Sequence, residues 1–138
     1  MLRINASGTF YCTRAVLPHM LKQGDGRIVN MSSVAGWGGA ANQAAYAAAK
    51  AGVMALTRAV AAETAKQGIR INAVAPSFSP NPFLERIYPK AMLEELERRA
   101  IFGRGAEPVE IANVILFLAS DLSSYMTGEV LSVSNQHA

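Results

Sequence analysis

The chain has 138 residues, 51% of them apolar and 17% charged, with 13 lysines and arginines against 10 aspartates and glutamates. That length and balance fit one folded domain with a real core and exclude a disordered chain. The net charge of +3 is modest and the basic residues are scattered, so nucleic-acid binding finds no support.

Leu2 to Lys22 reads as a helix in which Phe10, Val16 and Leu17 share an inward face. Pro18 should bend it and Gly24 should end it. Asp25-Gly26 then turns the chain into a short buried strand, Arg27 to Met31. A glycine-rich loop from Gly36 to Gly39 leads to a long alanine-dense helix, Ala44 to Lys66, that stops before Gly68. Ile69 to Ala75 is the second strand, closed by Pro76, and a polar, proline-rich loop follows from Ser77 to Pro89. Lys90 to Ala100 is an amphipathic helix, Pro108 opens another through Ser120, and Glu129 to Ser134 is the last strand. Alternating helices and strands predict an α/β fold, a parallel sheet with helices on both faces. No internal repeat, low-complexity tract or domain linker interrupts it.

Cys12 stands alone, which rules out an internal disulfide or a cysteine-built metal site and suits a reducing cytoplasm. It reads as a small buried thiol on a helix. The N-terminus has no signal-peptide-like segment, and apolar runs such as Val114 to Ala119 are far too short to span a bilayer. A soluble cytoplasmic protein is expected. His19 reads as helix surface and His137 as solvated tail; neither has metal-ligand company, and no metal is expected.

Tyr46 and Lys50 are the most informative residues. Four positions apart on a helix, they project from one face, one turn apart. Ser33, thirteen positions before Tyr46, sits on the turn leading toward the same place. A phenol is a poor base near neutral pH unless its anion is stabilised, and an ammonium close by supplies that stabilisation. Hydroxyl, phenol and ammonium together could move a proton to or from a carbonyl or alcohol oxygen. Singly, each residue has a plainer reading: a turn serine, a helix-start tyrosine, a solvated lysine. The context of strand, serine turn, glycine-rich loop and helix makes the set specific. Ser32 is the competing hydroxyl and reads as a turn or packing residue.

The pattern Met31-Ser32-Ser33-Val34-Ala35-Gly36 followed by Tyr46-Ala47-Ala48-Ala49-Lys50 resembles the short-chain dehydrogenase/reductase family, and the resemblance runs through all 138 residues. It implies the C-terminal part of a Rossmann-like, doubly wound parallel sheet. The chain starts at what is the family's fourth helix, so residues 1–138 correspond to a catalytic half without the N-terminal glycine motif that holds the adenine end of NAD or NADP. On that resemblance Tyr46 is the general acid in reduction and base in oxidation, and Ser33 holds the substrate oxygen. Lys50 stabilises the phenolate and binds the nicotinamide ribose, and Asn5 holds a water that relays protons to Lys50. A capping or helix-surface amide is the plainer reading of Asn5.

Asn72-Ala73-Val74-Ala75-Pro76-Ser77 resembles the strand end that contacts nicotinamide, so Tyr46, Lys50, Pro76, Ser77, Ser79 and Asn81 are the expected cofactor-binding residues. Ser77 replaces a usual glycine and Asn81 stands about where a threonine is expected. The terminus Val133-Ser134-Asn135-Gln136-His137-Ala138 replaces the family's Asp-Gly-Gly. Gly36-Trp37-Gly38-Gly39-Ala40-Ala41 fits G-x-G-x-x-A, but the acidic residue at the right distance, Glu63, falls inside a helix where it cannot meet a ribose. That loop is expected to wall a substrate pocket, with Trp37 lining it. Phe78 to Phe102 corresponds to the substrate lid. There Phe83, Leu84, Ile87, Tyr88 and Phe102 are candidates to face an apolar substrate, while Met92 and Leu96 read as packing.

The expected function is hydride transfer between NAD or NADP and a small-molecule carbonyl or secondary alcohol. The full-length form is expected to be a homo-oligomer, dimer or tetramer, with no nucleic-acid or membrane partner. A non-catalytic fragment acting through helix contacts is the alternative from another class, and an epimerase or dehydratase of the extended relatives is a third. The first strand, without a family partner on one side, is an exposed edge that predicts association or poor solubility.

Overall fold

The computed structural model describes residues 1–39 and 41–135. Three parallel strands, β1 (Gly26–Met31), β2 (Ile69–Pro76) and β3 (Val130–Val133), lie in the order β1-β2-β3. Gly26 pairs with Ile69 and Ala73 with Val130, so the carboxyl ends of β1 and β2 emerge side by side. Helices α1 (Gly8–Gln23) and α3 (Ala44–Thr64) cover one face, and α6 (Pro108–Ala119) covers the other. Side-chain alternation along β2 shows the division. Ile71 packs with Val60 and Ala61 of α3, while its neighbour Arg70 donates to the carbonyls of Leu118 and Ser120 at the end of α6. The fold is α/β, as the alternation of elements predicts.

The core follows the inner stripe of α3. Ala49, Lys50, Val53, Met54, Thr57, Val60, Ala61 and Thr64 are its buried residues, a helical repeat against the sheet. Polar groups buried here are satisfied inside. Thr57 and Thr64 donate back to Val53 and Val60, and the Asn30 amide of β1 donates to the Thr57 hydroxyl at 2.9 Å.

Several expectations change. The first turn of the N-terminal helix is a π-turn, Arg3–Ser7. The Thr9 hydroxyl donates to the carbonyl of Asn5, within that turn, at 2.6 Å. Phe10 and Val16 are exposed rather than inward, and of the three only Leu17 packs on the core. Cys12 is exposed too, because α1 buries so little of its surface. The helix runs through Pro18 without interruption and ends at Gly24, which donates its N–H to the Met20 carbonyl and turns the chain away with a left-handed φ of 72°. The glycine-rich loop contains a helical turn, α2 (Ala35–Gly38), and the loop after β2 contains a short helix, α4 (Pro82–Ile87), before α5 (Lys90–Arg99). Met92 is half exposed, not packed. His19 is exposed, and His137 lies outside the described residues.

Candidate active site

The buried stripe of α3 runs up to Lys50, which it delivers to the carboxyl end of β1, and Tyr46 lies one turn nearer the helix start. Tyr46 is half-buried and Lys50 only 8% exposed. The Lys50 ammonium lies 5.7 Å from the centre of the Tyr46 ring and donates to the Met31 carbonyl, the last of β1, at 3.0 Å. Cation and ring face each other at a distance where the ring quadrupole attracts the charge. Burial lowers the proton affinity of Lys50 below that of an ordinary lysine, because removing an ammonium from water disfavours it.

Ser33 follows directly on the same strand end. Its half-buried hydroxyl oxygen accepts the Ala35 N–H at 3.2 Å, which leaves its own O–H proton available to donate. The turn it begins presses flush onto α3. A Cβ on Gly36 would come within 3.0 Å of Lys50 C, 2.9 Å of Ala51 N and 2.8 Å of Met54 Cε. Glycine at 36 therefore serves close helix packing, and the G-x-G-x-x-A string needs no phosphate to explain it. Trp37 beside it is half exposed.

Asn5 occupies the π-turn, a half-buried position whose neighbour Ala6 faces Gly52 of α3. Its side-chain amide donates to the Met1 carbonyl at 3.2 Å, and among the described residues no hydrogen bond joins it directly to Lys50.

The end of β2 is organised differently. Pro76 accepts from the Val34 N–H at 3.1 Å, tying it to the Ser33 turn, and the Ser77 N–H donates to Val133 at 3.1 Å. Ser79 donates its hydroxyl to the Ala106 carbonyl at 2.7 Å, and the Ala106 N–H returns to Phe78 at 2.9 Å. These bonds join the two feet of the segment that carries α4 and α5. Asn81 caps α4: its Oδ1 accepts from Phe83 and Leu84, and its Nδ2 donates to the Ser79 carbonyl. Phe83, Ile87 and Phe102 are exposed, while Leu84 and Tyr88 are half-buried. Ser77 and Phe102 border a cleft of about 140 Å³ beside Arg104 and Glu110.

Arg104 was not singled out from the sequence. It makes a two-pronged ion pair with Glu110 at 2.7 and 2.8 Å, and Glu110 also accepts the Glu107 N–H at the start of α6. Glu-Pro-x-Glu at 107–110 is a helix-start pattern that could have signalled half of this arrangement.

Comparison with known proteins adds four findings. The family model described as enoyl-(acyl carrier protein) reductase matches residues 1–135. A (5R,7aS)-5-hydroxy-7a-methyl-1-oxo-2,3,5,6,7,7a-hexahydro-1H-indene-carboxyl-CoA reductase of Mycobacterium tuberculosis is 50% identical over 99% of this chain and 53% of its own length. A 3-oxoacyl-[acyl-carrier-protein] reductase of Thermotoga maritima is 47% identical over 96% of this chain and 54% of its own. Among solved structures, an NAD+-bound xylitol dehydrogenase superposes with a TM-score of 0.91 at 34% identity, covering 97% of this chain and 57% of that one. The chain spans about half the length of the curated relatives it matches.

Proposed function

The chain belongs to the short-chain dehydrogenase/reductase family, and on that premise we propose that it carries the proton-transfer and nicotinamide-side portion of an NAD- or NADP-dependent oxidoreductase acting on a carbonyl or secondary alcohol. The observation that carries this reading is the buried Lys50 ammonium facing the Tyr46 ring at the strand end that also presents Ser33.

In the reducing direction, Ser33 donates its hydroxyl proton as a hydrogen bond to the carbonyl oxygen where negative charge develops. Tyr46 gives up its phenolic proton to that oxygen, and Lys50 stabilises the phenolate left behind. In oxidation the same transfers run backwards. Asn5, on its π-turn against α3, is the proposed seat of a water that returns the proton through Lys50.

The residues fit a nicotinamide nucleotide by their chemistry and place. An ammonium, a phenol and serine hydroxyls cluster where two parallel strands end, the side on which open α/β sheets bind ligands. Tyr46, Lys50, Pro76, Ser77 and Ser79 would hold the nicotinamide ribose end. Asn81, with both ends of its amide engaged, serves that site by shaping the lid. When bound, the cofactor supplies the hydride. The names of the Mycobacterium and Thermotoga relatives both specify acids carried on a thioester, which favours a ketone of that class as substrate.

A cytoplasmic homo-oligomer completes the proposal. Exposed Phe10 and Tyr11 border an open groove of about 300 Å³ between α1 and α3, floored by Ala6, Gly52 and Leu56, which suits close helix packing.

The test joins the N-terminal portion of the Thermotoga relative to this chain and follows NADPH or NADH oxidation with 3-oxoacyl thioesters. Tyr46→Phe should lower turnover by roughly 10²- to 10⁴-fold, the usual contribution of a positioned general acid, while nucleotide binding stays near its original strength. Retained turnover would remove Tyr46 from the reaction. The chain by itself should bind neither NADH nor NADPH tightly in a fluorescence titration.

A further inference from the structure

Lys50 is held at two points by two consecutive residues. Its Nζ donates to the Met31 carbonyl at 3.0 Å, and its own main-chain carbonyl accepts the Ser32 hydroxyl at 2.9 Å. The Ser32 N–H meanwhile donates to the Val74 carbonyl at 2.8 Å, extending the β1–β2 ladder by one step. Ser32 is therefore fixed to the sheet by its backbone and to α3 by its side chain. Both residues are buried, Ser32 at 3% exposure and Lys50 at 8%.

The bond falls where strand end and helix must keep a set distance. The α2 turn presses on the same Lys50–Ala51 peptide through Gly36, so two contacts, one polar and one steric, meet on one peptide group. A helix carbonyl has a second lone pair, so the Ser32 hydroxyl can bond to it without displacing the helical hydrogen bond. Ser33, one residue on, is thereby placed relative to Tyr46 and Lys50 by its predecessor.

We propose that Ser32 is a positioning residue: its hydroxyl clasps the Lys50 peptide to the end of β1 and so sets where the Lys50 ammonium and the Ser33 hydroxyl stand relative to the Tyr46 ring. The importance of that placement rests on the proton-transfer reading above. The clasp itself does not, and its test needs no turnover.

The chain is labelled with ¹³C at the lysine ε-carbons, and the Lys50 signal is identified among Lys22, Lys50, Lys66 and Lys90 by its loss in Lys50→Arg. Burial is what lowers the proton affinity of Lys50, so loosening the clasp lets water reach the ammonium. In Ser32→Ala the Lys50 titration should move upward toward that of an ordinary lysine, and its signal should lose the ring-current displacement caused by Tyr46. Ser32→Cys keeps the site filled with a slightly larger, weaker donor and should move both quantities part of the way. It also carries the test if Ser32→Ala does not fold. Should both variants leave the Lys50 titration and ring-current shift at their original values, even with a lower melting temperature, Ser32 only fills space and the proposal fails. Either outcome stands independently of what Tyr46→Phe does to turnover.

Discussion

The ends of β1 and β2 lie side by side in one sheet, yet they hold their polar side chains in different ways. At the end of β1, the bonds of Asn30, Ser32 and Lys50 connect strand to helix across long stretches of sequence. Each fixes one element against another, and the outcome is a short polar cluster backed by the core. Beyond β2, Asn81 bonds within three residues of itself, while Ser79 reaches across the base of the segment it belongs to. Those bonds shape a segment without rooting it in the sheet. Its apolar side chains Phe83, Ile87 and Phe102 remain in solvent. A cluster rooted in the core beside a segment pinned only at its feet is the arrangement the proposed site needs if it is to hold reacting groups still and admit a substrate.

The strongest way to break this contrast is at Gly36. A methyl group there meets main-chain atoms of Lys50 and Ala51 that belong to the core helix and cannot swing aside. Gly36→Ala should cost about 1–3 kcal/mol, the usual range for overpacking, read as a lower midpoint in urea with an unchanged slope. A loss near zero would mean that the α2 turn yields freely and that the β1 end is no more rigid than the lid.

That contrast also explains what could be read from the sequence. Tyr46 and Lys50 were legible because helical spacing fixes their shared face whatever surrounds them, and the buried stripe of α3 runs up to Lys50. The strands were legible from short apolar runs punctuated by Gly68 and Pro76. Ser32 and Ser33 look alike in the sequence, and only the tertiary bond to Lys50 separates them. The exposed positions of Phe10, Cys12 and Val16 were not legible, since apolar residues on a helix say that it has an inner face but not how little of it is used. In the loop after β2, Asn81-Pro82 was a readable helix start: a capping amide followed by a proline at the first helical position.

Asn81 offers the next test. Asn81→Ala removes the acceptor for two N–H groups at the start of α4 and should destabilise that helix by about 0.5–2 kcal/mol, the normal range for a lost cap. Because the segment is pinned only at its base, the loss should stay local. Amide exchange should quicken across residues 82–88, while β2 and α3 exchange as before. Equal quickening in α3 would show that the lid and the core unfold together.

Acid should separate the two regions with the smallest effect of the three. Glu110 is held down to about 2 from an ordinary value of 4.5, chiefly by its hydrogen bond from Arg104 and then by the Glu107 N–H. Glu95 of α5 is held to about 2 in the same manner by Arg98 and Arg99. A carboxylate whose proton affinity falls on folding stabilises the fold above its ordinary value, and that contribution disappears as the pH falls through the folded one. Both pairs are solvent-exposed, so each contributes little, and salt should reduce it further. Lys50 is also lowered, but its protonated form is the charged one, so the penalty for burying that charge is fully present in acid and lifts only as the pH rises above its folded value. Neither the Met31–Ser32 strand end nor the first turns of α3 carries a carboxylate. Amide exchange corrected for intrinsic rates should therefore quicken across residues 82–106 on acidification, with the Met31–Ser32 strand end and the first turns of α3 unaltered. Uniform quickening over both regions, or none in the lid, would show that the Arg104–Glu110 and Glu95 pairs do not hold the lid.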